Sequence, residues 1–296
     1  MIVNKLQNQV HEYLKAKYQK ATGKEMVCQK SLSPTRSKYY FENLEDNLYE
    51  KMNERTKAFF NTGSGDELKD KIFALRSSSA MTFNLLGNDS ITVKPNDCIG
   101  AGIYKIEYEK QLDTLQKSKF PANLDAVLEK EDELCFCEMK LFEPLYHKTS
   151  FQKELSSSYE NRDRYFYLDS AYSFNESIEK LKTSGIKRYD ACQMFKHTLG
   201  IYNYARKNEL KGKKITLLNC VWILKDTLGD EKLDQQYKQI EQEERNEFNK
   251  FVECMFNSIN AFSKIGIDFS IKFITEKDLE AILELPEGKR IWLNRY

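Results

Sequence analysis

Apolar residues recur along this chain with two periods, which predict helices in some stretches and strands in others. Helical spacing predicts an amphipathic helix over residues 1–21, a second over Leu44–Phe60 and a third over Asp66–Leu86. Apolar and charged residues then alternate along Gly102–Gln111, and a period of two predicts a strand. The first third of the chain therefore changes from helices to a sheet.

Two further strands are predicted directly after Gly102–Gln111. The apolar run Ala122–Leu128 is followed by the charged turn Glu129–Glu133 and then by a second apolar run, Leu134–Phe142. Helical spacing returns over Arg188–Lys207, and the run Ile215–Leu224 is continuously apolar, as in a buried strand. The order is helix, three strands, helix, strand, which predicts an α/β fold with a mixed central sheet flanked by helices.

The rest of the chain adds elements at both ends of this core. A long helix over Asp230–Phe262 is predicted first, then a strand over Ile267–Ile274 and a short helix over Glu276–Leu285. No stretch is typical of a linker between domains. We therefore predict one domain over residues 1–296, whose core, N-terminal helical extension and C-terminal helix–strand–helix extension cover about 60–225, 1–59 and 226–296.

Composition narrows the function classes. The 296 residues are 41% hydrophobic and 31% charged, with a net charge of +1, so any nucleic-acid surface has to come from local clustering. No apolar run reaches the ~18 residues of a membrane span, and the N-terminus lacks the apolar region of a signal peptide. Seven scattered cysteines indicate reduced thiols and a cytoplasmic location.

Three charges interrupt the predicted apolar strands. Asp125 lies in the first, and Glu138 and Lys140 lie two apart, hence on one face, in the second. Charges inside core strands cost several kcal/mol unless they are paired or bind a metal. If the two strands pair through the charged turn, Asp125 and Glu138 converge, and with a backbone carbonyl they suit Mg²⁺. A lysine beside that metal can orient a water for phosphodiester hydrolysis.

Asp125, twelve intervening residues and then Glu138-Met139-Lys140 resemble the motif of the PD-(D/E)XK nuclease superfamily. Leu124 stands where the name of the motif has proline. The resemblance covers roughly residues 60–225 and implies a restriction-endonuclease-like αβββαβ core. The alternative is a pair of strand neighbours beside a solvated aspartate, which the position on two adjacent apolar strands disfavours.

The resemblance also implies roles for individual residues. Asp125, Glu138 and the Met139 carbonyl would hold Mg²⁺, for which Mn²⁺ could substitute, and Lys140 would position the attacking water. Members of the superfamily often use a Gln or Lys on the next helix, which here implies Gln193 and Lys196. A first-helix glutamate that completes the metal site is similar to Glu67.

Alternatives stay open for these supporting residues. Gln193 and Lys196, with His197 beside them, could form an ordinary solvated helix face. An acidic residue such as Glu67 is favoured in a first helical turn by the helix dipole alone, and Glu107 and Glu109 are further candidates for its role.

Basic residues cluster at both ends of the predicted helix Arg188–Lys207. Lys187 and Arg188 stand at its start, and Arg206 and Lys207 stand at its end. Either pair could hold DNA phosphates, although basic residues are common at helix ends for other reasons. The spacing of apolar residues along Asp230–Phe262 permits a dimer seam, and restriction-like nucleases that cut both strands commonly need two active sites.

The function expected from the sequence is a Mg²⁺-dependent deoxyribonuclease of the restriction type, acting on DNA in the cytoplasm as a homodimer. A cognate methyltransferase is expected beside it if the enzyme belongs to a restriction–modification system. Two alternatives are a repair or junction nuclease and a nucleic-acid-binding module that keeps the fold without cutting.

Overall fold

The computed structural model describes residues 2–31, 33–63, 67–146, 148 and 150–296, with side chains from residue 5 onward. In that part of the chain, six strands form one sheet in the order β1-β2-β3-β4-β5-β6. The strands are β1 (Ser90–Val93), β2 (Gly102–Leu112), β3 (Ala122–Glu129), β4 (Glu133–Lys140), β5 (Lys214–Val221) and β6 (Asp268–Thr275). The chain thus has a mixed α/β architecture.

The sheet combines an antiparallel half with a parallel half. Strands β1 to β4 pair antiparallel in succession, as short turns require, whereas β5 pairs parallel with β4, and β6 pairs parallel with β5. Strand β4 therefore lies between an antiparallel and a parallel neighbour. It is buried from Glu133 to Met139, which explains its apolar composition.

Helices cover both faces of the sheet. Their bounds are α1 (Ile2–Thr22), α2 (Arg36–Tyr39), α3 (Glu54–Thr62), α4 (Ser78–Leu86), α5 (Phe151–Glu154), α6 (Leu168–Thr183), α7 (Ala191–Lys207), α8 (Glu231–Cys254), α9 (Phe256–Lys264), α10 (Glu276–Ile282) and α11 (Glu287–Leu293). No helix in the described ranges is long and apolar enough to cross a bilayer.

The two faces of β4 belong to two separate apolar cores. Cys135, Cys137 and Met139 pack with residues of α1, α4 and α10. Leu134 and Phe136 pack on the opposite face with residues of α6, α7 and α9. The alternation along β4 therefore sends Glu138 and Lys140 toward the face that α7 covers, and leaves the cysteines in the core as the sequence predicts.

The third predicted helix, Asp66–Leu86, is wrong in its first half. Residues 64–66 lie outside the described part, and 3₁₀ turns at Glu67–Lys69 and Lys71–Phe73 precede α4. Helix α4 begins only after Ser77, whose hydroxyl accepts the Ala80 N–H. Serine hydroxyls compete for backbone groups in this way, so the serines begin the helix and do not lie in its middle.

Other predicted boundaries need correction as well. Leu44–Phe60 is not one helix, because only a 3₁₀ turn at Leu44–Asp46 and the later helix α3 form there. The helix predicted over Asp230–Phe262 is divided at Met255 into α8 and α9. The short strand β1 and the helix α11 were not predicted, and β6, which was assigned to an extension, pairs directly with β5 of the central sheet.

The apolar face of α8 is already used within the chain. Leu233, Tyr237 and Ile240 belong to the core on one side of the sheet, while Phe248 and Phe251 belong to the other. The spacing that permitted a dimer seam along this helix is therefore explained by packing inside one chain.

Candidate active site

Strands β3 and β4 separate where the predicted site lies. Their ladder ends at the pair Ala126 and Cys137, one residue short of Asp125 and Glu138. The β2–β3 register meanwhile places Glu109 opposite Asp125, since Tyr108 pairs with Ala126 and Lys110 pairs with Leu124. The carboxylates of Glu109, Asp125 and Glu138, from the consecutive strands β2, β3 and β4, thus lie close together where β3 and β4 separate.

The carboxylate of Asp125 binds a backbone N–H of β4 that has no backbone partner on β3, because the two strands separate at this point. Its Oδ2 accepts the Met139 N–H at 2.6 Å. The N–H and C=O of one strand residue point to the same edge of the strand, so the Met139 carbonyl also faces the gap between β3 and β4. The carboxylate of Asp125 and this carbonyl therefore share one opening.

Glu138 is 3% exposed and is held at both oxygens. Its Oε1 lies 2.8 Å from the Nζ of Lys140, and its Oε2 accepts a hydrogen bond from His197 Nε2 at 3.0 Å. Each carboxylate oxygen has two lone pairs, so these contacts leave positions for a metal ion. The glutamate is fixed in place without losing its capacity as a ligand.

Lys140 connects the strands to helix α7. Its Nζ donates to the side-chain carbonyl of Gln193, and Asp190, the N-cap of α7, lies 4.0 Å away. The structure therefore brings Gln193 to the predicted site. Lys196 faces a neighbouring groove lined also by Pro121, Asn123 and His197, and does not line the cavity around Asp125.

A polar cavity of about 450 Å³ opens over these residues. Its wall includes Asp125, Glu138, Met139, Lys140 and Gln193, together with Glu67, Lys71, Arg76, Ser78, Glu109 and Asn123. Five carboxylates, with Glu143 as the fifth, and several cationic side chains thus face one space. A cavity of this size and polarity has room for a phosphate group and its waters.

The position of Glu67 differs from the one expected. It lies in a 3₁₀ turn ahead of α4 and not in a first helical turn. Its Oε1 pairs with Lys71 at 2.9 Å, and its Oε2 accepts from the Ser79 hydroxyl at 2.9 Å. Glu67 faces the cavity with both oxygens engaged, whereas Glu107, another candidate, pairs with Lys110 and does not line it.

Glu109 is the candidate that the strand geometry brings to the carboxylates. Its backbone has a φ of 51°, a left-handed conformation that is uncommon outside glycine and occurs at functional sites. Its side chain is 5% exposed and accepts a hydrogen bond from Asn123. Burial, followed by the charges of Glu67 and Glu138, raises the pKa of Glu109 to about 7 despite that bond.

Asp125 and Glu138 have opposite electrostatic environments. Burial and the nearby charges of Glu138 and Glu109 raise the pKa of Asp125 well above its ordinary value. Burial also acts to raise the pKa of Glu138, but Lys140 and His197 outweigh it and bring that pKa to about 2. Burial alone would lower the pKa of Lys140, yet Glu138 and Asp190 raise it, so the lysine keeps its proton.

These carboxylates fit a divalent cation. Asp125 and Glu109 repel neighbouring carboxylates, and a hard cation between the oxygens relieves that repulsion. Within the described ranges, no group of three or more His, Cys, Asp or Glu side chains is arranged to hold a metal. The donor set that fits is therefore Asp125, Glu138 and the Met139 carbonyl, with water completing the shell, as Mg²⁺ prefers.

The predicted phosphate-binding residues differ in whether they are free to contact DNA or are already engaged within the chain. Arg188 is 5% exposed and its guanidinium binds the Pro144 carbonyl and Glu243, so it is occupied inside the chain. Arg206 pairs with Asp169 and covers the ring of Tyr167. Lys187 and Lys207 are exposed. Arg188 therefore has a structural contact where a DNA contact was expected.

His197 is the site residue that sequence reasoning passed over. Gln193, His197 and Gly200 follow the i, i+4, i+7 spacing of one helix face. A Cβ added at Gly200 would lie 2.8 Å from the Leu112 Cβ, so this face must press against the sheet. The spacing of four residues from Gln193 was the available signal for His197, but Lys196 lies three residues from Gln193 and Gly200 lies near both, so spacing does not choose between them.

Comparisons with known proteins identify a family. A family model described as Restriction Endonuclease associating with ARP matches residues 4–264. No curated protein and no solved structure matches the chain.

Proposed function

The chain belongs to the family of restriction endonucleases associating with ARP, and on that premise we propose that it is a metal-dependent endonuclease that hydrolyses DNA phosphodiester bonds. The observation that carries the proposal is the convergence of Asp125, Glu138 and Lys140 at the point where β3 and β4 separate. Burial of this cluster against α7 makes a chance strand pair of charges a poor explanation.

We further propose that the core is of the PD-(D/E)XK type. Helix α4, the antiparallel strands β2 to β4, helix α7 and the parallel strand β5 follow the αβββαβ order of that superfamily. The motif residues occupy corresponding places, with Asp125 on the second of these strands and Glu138 and Lys140 on the third. This correspondence supports the assignment independently of the family model.

The chain's own residues supply most of the proposed mechanism. Asp125, Glu138 and the Met139 carbonyl hold Mg²⁺, with Mn²⁺ as a substitute. Lys140, protonated and fixed by Glu138 and the Gln193 carbonyl, orients the attacking water and offsets charge on the phosphoryl oxygen. Glu138 and Asp190 raise the pKa of Lys140, which favours a role as a positioned cation.

When bound, the metal ion lowers the pKa of its water and stabilises negative charge on the phosphoryl oxygen. Glu138 must remain ionised to hold it, and the depressed pKa of this residue ensures that it does at neutral pH. His197 keeps the Glu138 carboxylate in one orientation through its 3.0 Å hydrogen bond.

The biological setting is proposed from the same premise. A restriction or defence role in the cytoplasm fits the family description, which also names association with ARP. Restriction-like nucleases that cut both strands commonly need two active sites, so we propose a homodimer on DNA, with a cognate methyltransferase if host DNA is protected by modification. Lys187 and Lys207 are the exposed candidates for phosphate contacts.

Plasmid cleavage with Mg²⁺ or Mn²⁺ tests the activity. We expect the wild-type chain to cut supercoiled plasmid, and Lys140→Ala and Asp125→Asn each to lose activity by at least about a hundredfold, as removal of a charge-stabilising or metal-holding group does. Lys264→Ala is the matched control, because that exposed lysine at the end of α9 lines neither the cavity nor the adjoining groove.

Branched DNA and linear DNA should be compared in the same assay. Equal or preferred cutting of linear duplex supports the restriction role, while strict dependence on a junction would assign a repair role instead. Wild-type activity in both Lys140→Ala and Asp125→Asn would refute the proposed site, and binding of DNA without cutting in either metal would refute the nuclease.

A further inference from the structure

The loop between β2 and β3 carries an exposed aromatic residue directly after two positive charges. Phe120 is 82% exposed, more than any other large hydrophobic side chain in the described residues. Lys117 and Lys119 beside it are also exposed, and neither forms an ion pair within the described part of the chain. A single exposed apolar side chain is common on protein surfaces, so the surroundings of the ring have to show whether it has a role.

This loop is held in a defined shape. The Gln116 N–H donates to the Arg164 carbonyl at 2.7 Å, and the Arg164 guanidinium donates to the Gln116 carbonyl. Lys117 then turns with a φ of 60°, and the Ser118 hydroxyl bridges the N–H and carbonyl of Phe120. The ring is therefore presented by a fixed turn and is not the end of a loose segment.

The loop lies at the rim of the candidate active site. Pro121, Ala122 and Asn123, which follow Phe120 directly, line a groove of about 380 Å³ together with Lys196. Asn123 also lines the cavity around Asp125, so the groove and the cavity adjoin. Asp125 is five residue steps along the chain from Phe120, which corresponds to at most roughly 17 Å, or about five nucleotide steps of one DNA strand.

Other exposed aromatic residues lack this combination of features. Tyr172 is covered by the guanidinium of Arg162, whose centre lies 4.4 Å from the ring centroid. Phe256 is 60% exposed at the start of α9, where its neighbours Met255 and Asn257 are uncharged. Phe120 combines a fixed presentation, nearby cations and a groove that leads to the carboxylates.

We propose that Phe120 is a wedge that inserts between adjacent base pairs of the DNA held in this groove, while Lys117 and Lys119 bind phosphates near the same base step. Apolar wedges of this kind unstack a base step and kink the duplex. The inference rests on the proposed nuclease function and adds to it how the substrate is held and deformed. A kink about five steps from the cut would bring the scissile phosphate down toward Asp125 and Lys140.

Unwinding of plasmid DNA tests the wedge without knowledge of the recognition sequence. A closed circular plasmid is relaxed by a metal-independent topoisomerase in EDTA, which prevents cleavage, with and without saturating protein. Because a wedge untwists the step that it enters, we expect the wild-type chain to leave the plasmid with a reduced linking number. Phe120→Ala should give the linking number of the protein-free plasmid, and Phe120→Trp should restore the change.

Control variants separate the wedge from general effects. Phe256→Ala removes an exposed ring elsewhere and should keep the full change in linking number. The double variant Lys117→Ala, Lys119→Ala should lower the salt dependence of DNA binding by about two charges but still unwind at saturation. Phe120→Ala should bind DNA about tenfold more weakly.

Two results would overturn the wedge. One is an unchanged linking number with wild-type protein, and the other is full unwinding by Phe120→Ala. Either result combined with normal plasmid cleavage leaves the nuclease proposal standing and removes only the wedge. Wild-type cleavage by Lys140→Ala and Asp125→Asn together with unwinding that depends on Phe120 would instead refute the proposed active site and support the wedge, so the two proposals fail separately.

Discussion

The two ends of strand β4 each bury a glutamate, and the two sites differ in how the charge is neutralised. At the first end, Glu133 receives the Gly100 N–H at 2.9 Å, the Tyr104 hydroxyl at 2.9 Å and the Lys214 ammonium at 3.2 Å. Burial acts to raise the pKa of Glu133, but these donors lower it below its ordinary value. This carboxylate is satisfied by the protein itself.

At the other end, both oxygens of Glu138 have partners in Lys140 and His197, but the negative charge of the neighbouring carboxylates is not compensated. Asp125 and Glu109 lie beside it on adjacent strands, and both have raised pKa values because they are buried near other carboxylates. The protein therefore gathers more negative charge than it compensates. Burial of a carboxylate does not by itself distinguish a structural ion pair from a site for a cation, whereas uncompensated charge does.

The largest expected effect is on folding stability and concerns Glu133, at the first end of β4. Glu133→Gln leaves Lys214 and the Gly100 N–H without their anion, so we expect the free energy of unfolding to fall by about 3–5 kcal/mol. Urea denaturation followed by circular dichroism measures it, with the exposed Glu131→Gln as control. Metal affinity of the folded variant should not change, and a weakened metal site would contradict the separation of the two ends.

A second expectation concerns how folding stability depends on pH through Glu109, which lies near the Glu138 end of β4. The folded chain raises the pKa of Glu109 from an ordinary 4.5 to about 7, so between these values the folded state binds more protons than the unfolded state. Stability contributed by this group is therefore present at low pH and is lost as pH rises to about 7, by up to roughly 3 kcal/mol without metal.

Glu109→Gln should remove that pH dependence, while Glu107→Gln, on the same strand but outside the cavity, should retain it. Thermal unfolding between pH 4.5 and 8 in the presence of EDTA gives the comparison. If stability changed with pH in the same way in wild type and Glu109→Gln, the result would contradict the expectation, because folding would then not raise the pKa of Glu109.

The smallest expected effect concerns His197. Its Nε2 donates to Glu138, and a hydrogen bond to a charged group contributes about 1.5–3 kcal/mol, so His197→Ala should slow cleavage by roughly tenfold or more. His197→Gln can place an amide N–H near the same point and should recover most of the rate. Equal losses in both variants would mean that the ring serves packing alone.

Much of the sheet was predictable because its signals are local. Strands β2 to β5 appear as alternation or as apolar runs, and Asp125, Glu138 and Lys140 were conspicuous as charges within them. The helices were less predictable, since serines at Ser77 and Ser78 begin α4 while helical periodicity extends further back. Strand β1 is four residues long and is defined by pairing with β2, which no local pattern announces.

The surroundings of the site depend on three-dimensional packing. The rotation of α7 places His197 against Glu138, while Lys196 lines the neighbouring groove. The environment of Arg188 is likewise set by Pro144 and Glu243, far away in sequence. Residue spacing identified the candidates on α7, but only packing distinguishes among them.

The most direct test of the central claim is Mn²⁺ in crystals of the wild-type chain and of Asp125→Asn. In the wild-type crystals we expect an anomalous peak between the carboxylates of Asp125 and Glu138, beside the Met139 carbonyl. In the Asp125→Asn crystals we expect this peak to be absent. No peak in the wild-type protein at saturating Mn²⁺, or a peak at Glu133 instead, would contradict it.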